Sequence, residues 1–432
     1  MTEESIRRTE LASGLRVVTD RLPHAQSVCL GVYAQVGSRD EPEALAGSSH
    51  FLEHLLFKGT PTRSARQIAV EVDSVGGEMN AYTSRELTAY YTRLPPDVAA
   101  SGLDLLCDVV SRPAFRPAEV EAEREVILDE ILMADDDPDD VVYRLLWESL
   151  FGTHPLGRET LGSAETITAI TRDQIAGFHA ERYHTGVLVV AAAGLVDHDV
   201  FVDQIAAALE VPSVAPDGLG PGARRRPVLA PEALVVRRRP TEQVHLAVGW
   251  PGVDAYDDDR HALVIGNHIL GGGMASRLFQ AIREERGLAY AIGSSAARYT
   301  DAGVVVVSAG CSPARLNELC SVLDEEIERL LADGVTTDEV EGAIGYVVGA
   351  TRLGLEDSGS RMARIAGDEL VRGEVVSITE HLDRLRAVTI DDVNRVLRRV
   401  LDAPRAVAAV GPIDDDDPSL VRTARWRRPT SG

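Results

Sequence analysis

Val190-Ala191-Ala192-Ala193-Gly194-Leu195-Val196-Asp197 returns 217 positions later as Val407-Ala408-Ala409-Val410-Gly411-Pro412-Ile413-Asp414. A short apolar run closed by glycine and aspartate reads as a buried strand followed by a turn. Just upstream, Ile170-Thr171-Arg172-Asp173 resembles Val388-Thr389-Ile390-Asp391. Near the start of each half, Val28-Cys29-Leu30-Gly31-Val32 has the pattern of Val244-His245-Leu246-Ala247-Val248, 216 positions on. Three correspondences at nearly one offset mark a tandem duplication. Two homologous domains, 1–211 and 232–432, are therefore expected, joined by a Pro/Gly/Arg-rich linker over 212–231. Each half runs strands, helices and strands again, the signature of an α+β domain with a mixed, mainly antiparallel sheet packed with helices on one side. In the first half Ser13-Gly14 marks a hairpin turn, and Thr88 to Leu94 is an aromatic, β-branched strand ended by Pro95-Pro96.

At 432 residues the chain is too long for one ordinary core, and 44% hydrophobic with 26% charged residues is a globular composition. A formal net charge of -24 argues against a nucleic-acid partner, which needs concentrated basic surface; it serves solubility first, and it also allows a carboxylate-lined chamber that attracts basic peptides. The first eight residues carry Glu3, Glu4, Arg7 and Arg8 and no apolar stretch of a secretory signal, and no run is long enough to span a bilayer. Cys29, Cys107, Cys311 and Cys320 are scattered without CxxC spacing, which favours buried thiols in a reducing compartment. A cytoplasmic protein without a membrane partner is the expectation. The basic tail Arg422 to Arg428 reads as a frayed terminus.

The chemistry is concentrated in His50-Phe51-Leu52-Glu53-His54. Two histidines four apart project from one face of a helix, where neutral imidazoles can grip one zinc while the glutamate between them reaches a water at the metal. This is HxxEH, the inverted form of the HExxH zinc signature. Ser48 and Ser49 are candidate N-caps, Leu52, Leu55 and Leu56 form an apolar stripe, and Lys58-Gly59-Thr60-Pro61 ends the helix. The corresponding positions of the second half are Gly266, Ile269 and Leu270, so only the first domain can hold a metal this way.

A zinc that activates water usually has three protein ligands and an open position. Pro117 to Ala134 is a strong helix candidate with proline at its start and an apolar stripe at Val120, Val126, Ile127 and Ile131. It offers Glu119, Glu121, Glu123, Glu125, Asp129 and Glu130, of which Glu123 and Glu130, seven apart, share a face. Periodicity alone does not choose among them. His154 in His154-Pro155-Leu156-Gly157 reads as a loop histidine with a structural hydrogen bond, and Gly271-Gly272-Gly273 lacks the lysine of a phosphate loop.

His50 to Thr60 (HFLEHLLFKGT), followed by Gly76 to Thr83 (GGEMNAYT), resembles the pitrilysin family of zinc peptidases, in particular its processing-peptidase-like branch of half-length chains. The resemblance implies one zinc per chain on His50, His54 and Glu130, Glu53 as general base, and Glu123 orienting a ligand histidine. It places Asn80, Ala81 and Tyr82 on an edge strand that pairs with an extended peptide. Ser276 to Tyr290 is similar to the segment carrying the family's arginine and tyrosine pair, here Arg283 and Tyr290. The implied protein is a zinc endopeptidase cutting oligopeptides, unfolded segments or basic leader peptides in a closed chamber. Its two domains would form half of a clamshell, completed by a homodimer with composite sites or, less favoured, by a hetero-partner. The alternative within the same family is a non-catalytic scaffold subunit.

Overall fold

A computed structural model describes residues 5–213, 227 and 233–425. The expected linker at 212–231 lies, apart from Pro212, Ser213 and Pro227, outside these residues.

The first sheet orders its strands β1-β2-β6-β3-β5-β4, with β1 Ile6–Glu10, β2 Arg16–Arg21, β3 Val28–Ala34, β4 Glu78–Thr83, β5 Thr88–Leu94 and β6 Leu188–Gly194. Neighbours are antiparallel except β2 and β6, which run parallel. The second sheet is β7-β11-β8-β10-β9, with β7 Leu234–Arg238, β8 Val244–Pro251, β9 Ala291–Arg298, β10 Gly303–Cys311 and β11 Ala406–Gly411. Its one parallel pair is β7 and β11. Setting β1 aside, the two orders correspond strand for strand. The repeated stretches of sequence are β6 and β11, β3 and β8, which lie adjacent inside each sheet.

Two compact units form, and neither is a continuous half of the chain. The first takes residues up to Leu132, those from Glu159 to the linker, and Arg352–Ser377; the second takes Met133–Arg158, the second half up to Thr351, and the chain from Ile378. Each half thus lends one segment to the other's unit, which a division at the linker does not anticipate.

The lent segments also overturn the one-sided sheet. On one face of the first sheet, Leu30, Val32, Val190 and Ala192 join a core with Phe51, Leu52 and Ile127. On the other, Cys29, Tyr33, Val189 and Ala191 pack against Met362, Ile365, Ala366 and Leu370 of the Ser358–Arg372 helix. In the second unit the Pro138–Phe151 helix does the same, laying Val142, Leu146 and Leu150 on Ala247, Val306 and Ala408. Helices therefore cover both faces, which is why β3, β6 and β11 are buried at every residue instead of alternating. Gly31 makes room for this packing, since a Cβ there would stand 3.2 Å from the Met362 side chain. Arg8 clamps the lent helix through Glu369, 2.8 Å away and fully buried.

All four cysteines are buried free thiols. The described part of the basic tail is not frayed: Pro418–Arg425 is a helix, and Arg422 bonds Asn317 and Ser321. Among the described residues no helix is long and apolar enough to cross a membrane.

Candidate metal centre

The HxxEH pentad lies on the Ser48–Leu56 helix. Phe51, Leu52, Leu55 and Leu56 are fully packed in the first unit's core, which turns His50, Glu53 and His54 together to the opposite, half-buried face. Neither Ser48 nor Ser49 caps the helix. Gly47 is the N-cap at φ +93°, a conformation that favours glycine, and no side chain of its own closes the end. The Glu41 carboxylate does so from a preceding loop, accepting the Gly47 N–H at 2.7 Å and the Ser49 N–H at 2.6 Å. A buried carboxylate on the positive end of the helix dipole holds the pentad's first turn in place.

The Pro117–Asp136 helix supplies the carboxylates. Val120, Ile127 and Ile131 are buried as expected, but Val126 is exposed. Burial narrows the choice that periodicity left open to Glu119, Glu123 and Glu130. Glu121, Glu125 and Asp129 face solvent, whereas Glu123 is buried and Glu130 half-buried toward the pentad.

Glu130 Oε2 stands 3.6 Å from both His50 Nε2 and His54 Nε2. Ligand atoms at about 2.0–2.1 Å from one tetrahedral ion lie roughly 3.4 Å apart, so two imidazoles and a carboxylate at this spacing suit zinc. Among the described residues no other group of three or more His, Cys, Asp or Glu side chains gathers ligand atoms so closely. Burial, and then the neighbouring His54, pushes the His50 imidazole down to about 4, so it is neutral and able to donate a lone pair at neutral pH. Glu123 Oε2 lies 3.1 Å from His54 Nδ1. A carboxylate there accepts the Nδ1 hydrogen and leaves the lone pair on Nε2, facing Glu130. The other oxygen of Glu123 is 2.7 Å from Lys58 Nζ, which balances its buried charge. His50 Nδ1 is buried without a hydrogen-bond partner.

Glu53 projects beside this cluster. Burial raises its carboxyl above the ordinary value, and a hydrogen bond donated by the Thr83 hydroxyl at 2.5 Å works against that rise. Thr83 ends β4, which pairs with β5 on one side and closes the sheet on the other. Asn80, Ala81 and Tyr82 are therefore on an edge strand. Met79 and Ala81 pack toward the core, while Tyr82 points to the other face, its ring 6.3 Å from that of Tyr91. A cavity of about 500 Å³ lies beside the start of β4, walled by Phe57, Ile68, Val72 and Met79, with Asp73 and Glu78 among its residues.

In the second unit, Arg283 sits in a π-helical turn, Phe279–Glu284, with its guanidinium 4.8 Å from the Phe279 ring and 4.6 Å from the Tyr290 ring. Tyr290 is 79% exposed. The arginine and tyrosine are thus stacked into one presented pair. The counterparts of the pentad are core: Ile269 and Leu270 are buried, and a Cβ on Gly266 would press on Leu397 at 3.0 Å. His154 Nδ1 accepts the Leu156 N–H, the structural bond expected of it.

A family model described as Insulinase (Peptidase family M16) matches residues 16–164, and one described as Peptidase M16 inactive domain matches residues 169–345. The chain belongs to peptidase family M16. An uncharacterized zinc protease of Streptomyces coelicolor is 43% identical to this M16 chain over 97% of it and 92% of the relative. An uncharacterized zinc protease of Bacillus subtilis is 35% identical over 94% of the chain and 98% of the relative, so half-length is shared. Two solved structures have the same fold. A peptidase M16 inactive domain from Pseudomonas fluorescens aligns with TM-score 0.86 and 21% identity over 96% of this chain and 100% of that one. A protease from Helicobacter pylori aligns with TM-score 0.84 and 22% identity over 94% and 99%.

Three contributors escaped the sequence reading. Thr83 was within reach, because alternation along β4 puts it on the face of Met79 and Ala81. Lys58, four residues after His54, shows in the sequence only as part of the helix end. Glu41 carries no pattern, since its role depends on a loop path.

Proposed function

We propose that this M16 chain is a zinc endopeptidase of the cytoplasm that hydrolyses oligopeptides and unfolded segments, basic leader peptides among them. The observation that carries the reading is the convergence of His50 Nε2, His54 Nε2 and Glu130 Oε2 on one point, with Glu53 on the same helix face and an open strand edge beside it. One zinc per chain, when bound there, supplies Lewis acidity to the scissile carbonyl and the attacking water. The other steps fall to side chains. An extended peptide adds to the free edge at Asn80, Ala81 and Tyr82 by main-chain hydrogen bonds, which tolerate varied side chains. The cavity next to β4 takes one substrate side chain, its apolar walls and the carboxylates Asp73 and Glu78 suiting an apolar or a long basic residue. Glu53 takes a proton from the water as it adds to the carbonyl and returns it to the leaving amine nitrogen. Arg283 and Tyr290 offer donors to the developing oxyanion and the adjacent peptide carbonyl.

The test is cleavage of a mixed library of unstructured peptides followed by mass spectrometry. Cleavage should vanish on chelation and return with zinc. A chain that binds zinc and cuts nothing in the library would defeat the reading and favour the scaffold alternative.

The active form we propose is a homodimer enclosing a chamber, in which Arg283 and Tyr290 of one chain serve the zinc of the other. Mixing an inactive Glu53→Gln chain with an inactive Arg283→Ala chain should then restore activity, up to about one quarter of wild type if exchange is random and each site works alone. No recovery despite exchange confirmed by native mass spectrometry rules out shared sites.

A further inference from the structure

We infer that Thr83 is a positioning residue that ties the Glu53 carboxylate to the strand receiving the peptide, an inference that rests on the peptidase reading above. A glutamate side chain on a helix has three rotatable bonds and does not by itself hold one place relative to a substrate. Here Glu53 Oε2 is held by the Thr83 hydroxyl at 2.5 Å, leaving Oε1 to meet a water. Thr83 is suited to hold it. It is the last residue of β4, paired with Thr88 across the ladder, and it follows Met79 and Ala81 on the face packed against the core. Its branched Cβ restricts χ1, so the hydroxyl direction follows the strand.

A peptide added to the free edge of β4 takes its height and register from the same strand. Base and scissile bond therefore share one reference, with only Ala81 and Tyr82 between Thr83 and Asn80. If the zinc helix and the strand shift against each other, the hydrogen bond carries the carboxylate with the strand. A misplacement on the order of 1 Å in such a group costs about a hundredfold in rate.

The experiment compares Thr83→Val, which keeps the shape and removes the donor, with Thr83→Ser, which keeps the donor. For the valine variant we expect kcat to fall about ten- to a hundredfold with KM and zinc affinity unchanged, and for the serine variant a return to within about threefold of wild type. A purely structural role would shift KM or zinc affinity too and would not separate the two variants. Crystal structures of both provide a readout independent of turnover: the Glu53 carboxylate should leave its position in the valine variant and keep it in the serine variant. Unchanged kcat in Thr83→Val, equal losses in both variants, or an unmoved Glu53 carboxylate in Thr83→Val would overturn the inference. If the wild type cleaves no peptide, the peptidase reading fails, and the crystal structures still decide whether Thr83 holds Glu53.

Discussion

Glu53→Gln should bind zinc as tightly as the wild type and cleave peptides about a thousandfold more slowly, within the range expected for loss of a general base. The substitution is nearly isosteric. The amide oxygen can still accept the Thr83 hydroxyl, so the side chain keeps its anchor and loses only the ability to take a proton. The metal cluster should keep its geometry, because Glu53 is not one of the three residues whose ligand atoms converge and the helix is held by Phe51, Leu52, Leu55 and Leu56 on its other face. The environment fits the role: burial raises the Glu53 carboxyl above its ordinary value, the direction that makes a carboxylate a stronger base. The measurement is kcat/KM on a peptide from the library alongside zinc content per chain. Turnover near that of the wild type would remove Glu53 from the mechanism, and loss of zinc would mean that the substitution disturbed the ligands instead.

How far the sequence reads depends on whether a feature is local. The duplicated strands are legible because β3, β6, β8 and β11 are inner strands, and inner strands admit few residue types. The pentad is legible because helical spacing alone brings His50 and His54 together. Partners that meet through tertiary packing are not. Spacing puts Glu123 and Glu130 on one face, yet their different surroundings, one against His54 and Lys58 and the other between two imidazoles, follow from how two helices cross. The exchange of the Pro138–Phe151 and Ser358–Arg372 helices is the largest miss. Its trace is present in Leu188 to Gly194, an unbroken apolar run that a sheet solvated on one face does not need. That trace shows that something covers the second face, but not that the cover comes from the other half of the chain.

Removing single members of the cluster should give a graded loss of zinc. His54→Ala and Glu130→Gln each leave two ligands and a neutral or missing third, so both should lose the metal during ordinary purification. Glu123→Gln should keep it with affinity lowered about 10–100-fold, since it takes away the charged acceptor that orients the His54 ring and leaves the three ligands in place. The same change leaves Lys58 facing a neutral amide, so a Glu123→Gln, Lys58→Met double variant should lose little more than Glu123→Gln alone. None of these proteins should unfold when metal is lost. Each of the four core residues on the zinc helix contributes about 1.5–3 kcal/mol by burial, and the Glu41 cap is independent of the ion, so the helix stands without it. Competition against a chromogenic chelator ranks the affinities, and thermal melts with and without zinc test the second point: the wild type should gain stability with zinc and the ligand variants should not. A Glu130→Gln chain that holds zinc like the wild type would mean that another group completes the site, with Glu123, already against His54, the first to examine. A chain that unfolds on chelation would make the ion structural, and the preformed site, with its neutral His50 and its oriented His54, would then have no reason to persist without it.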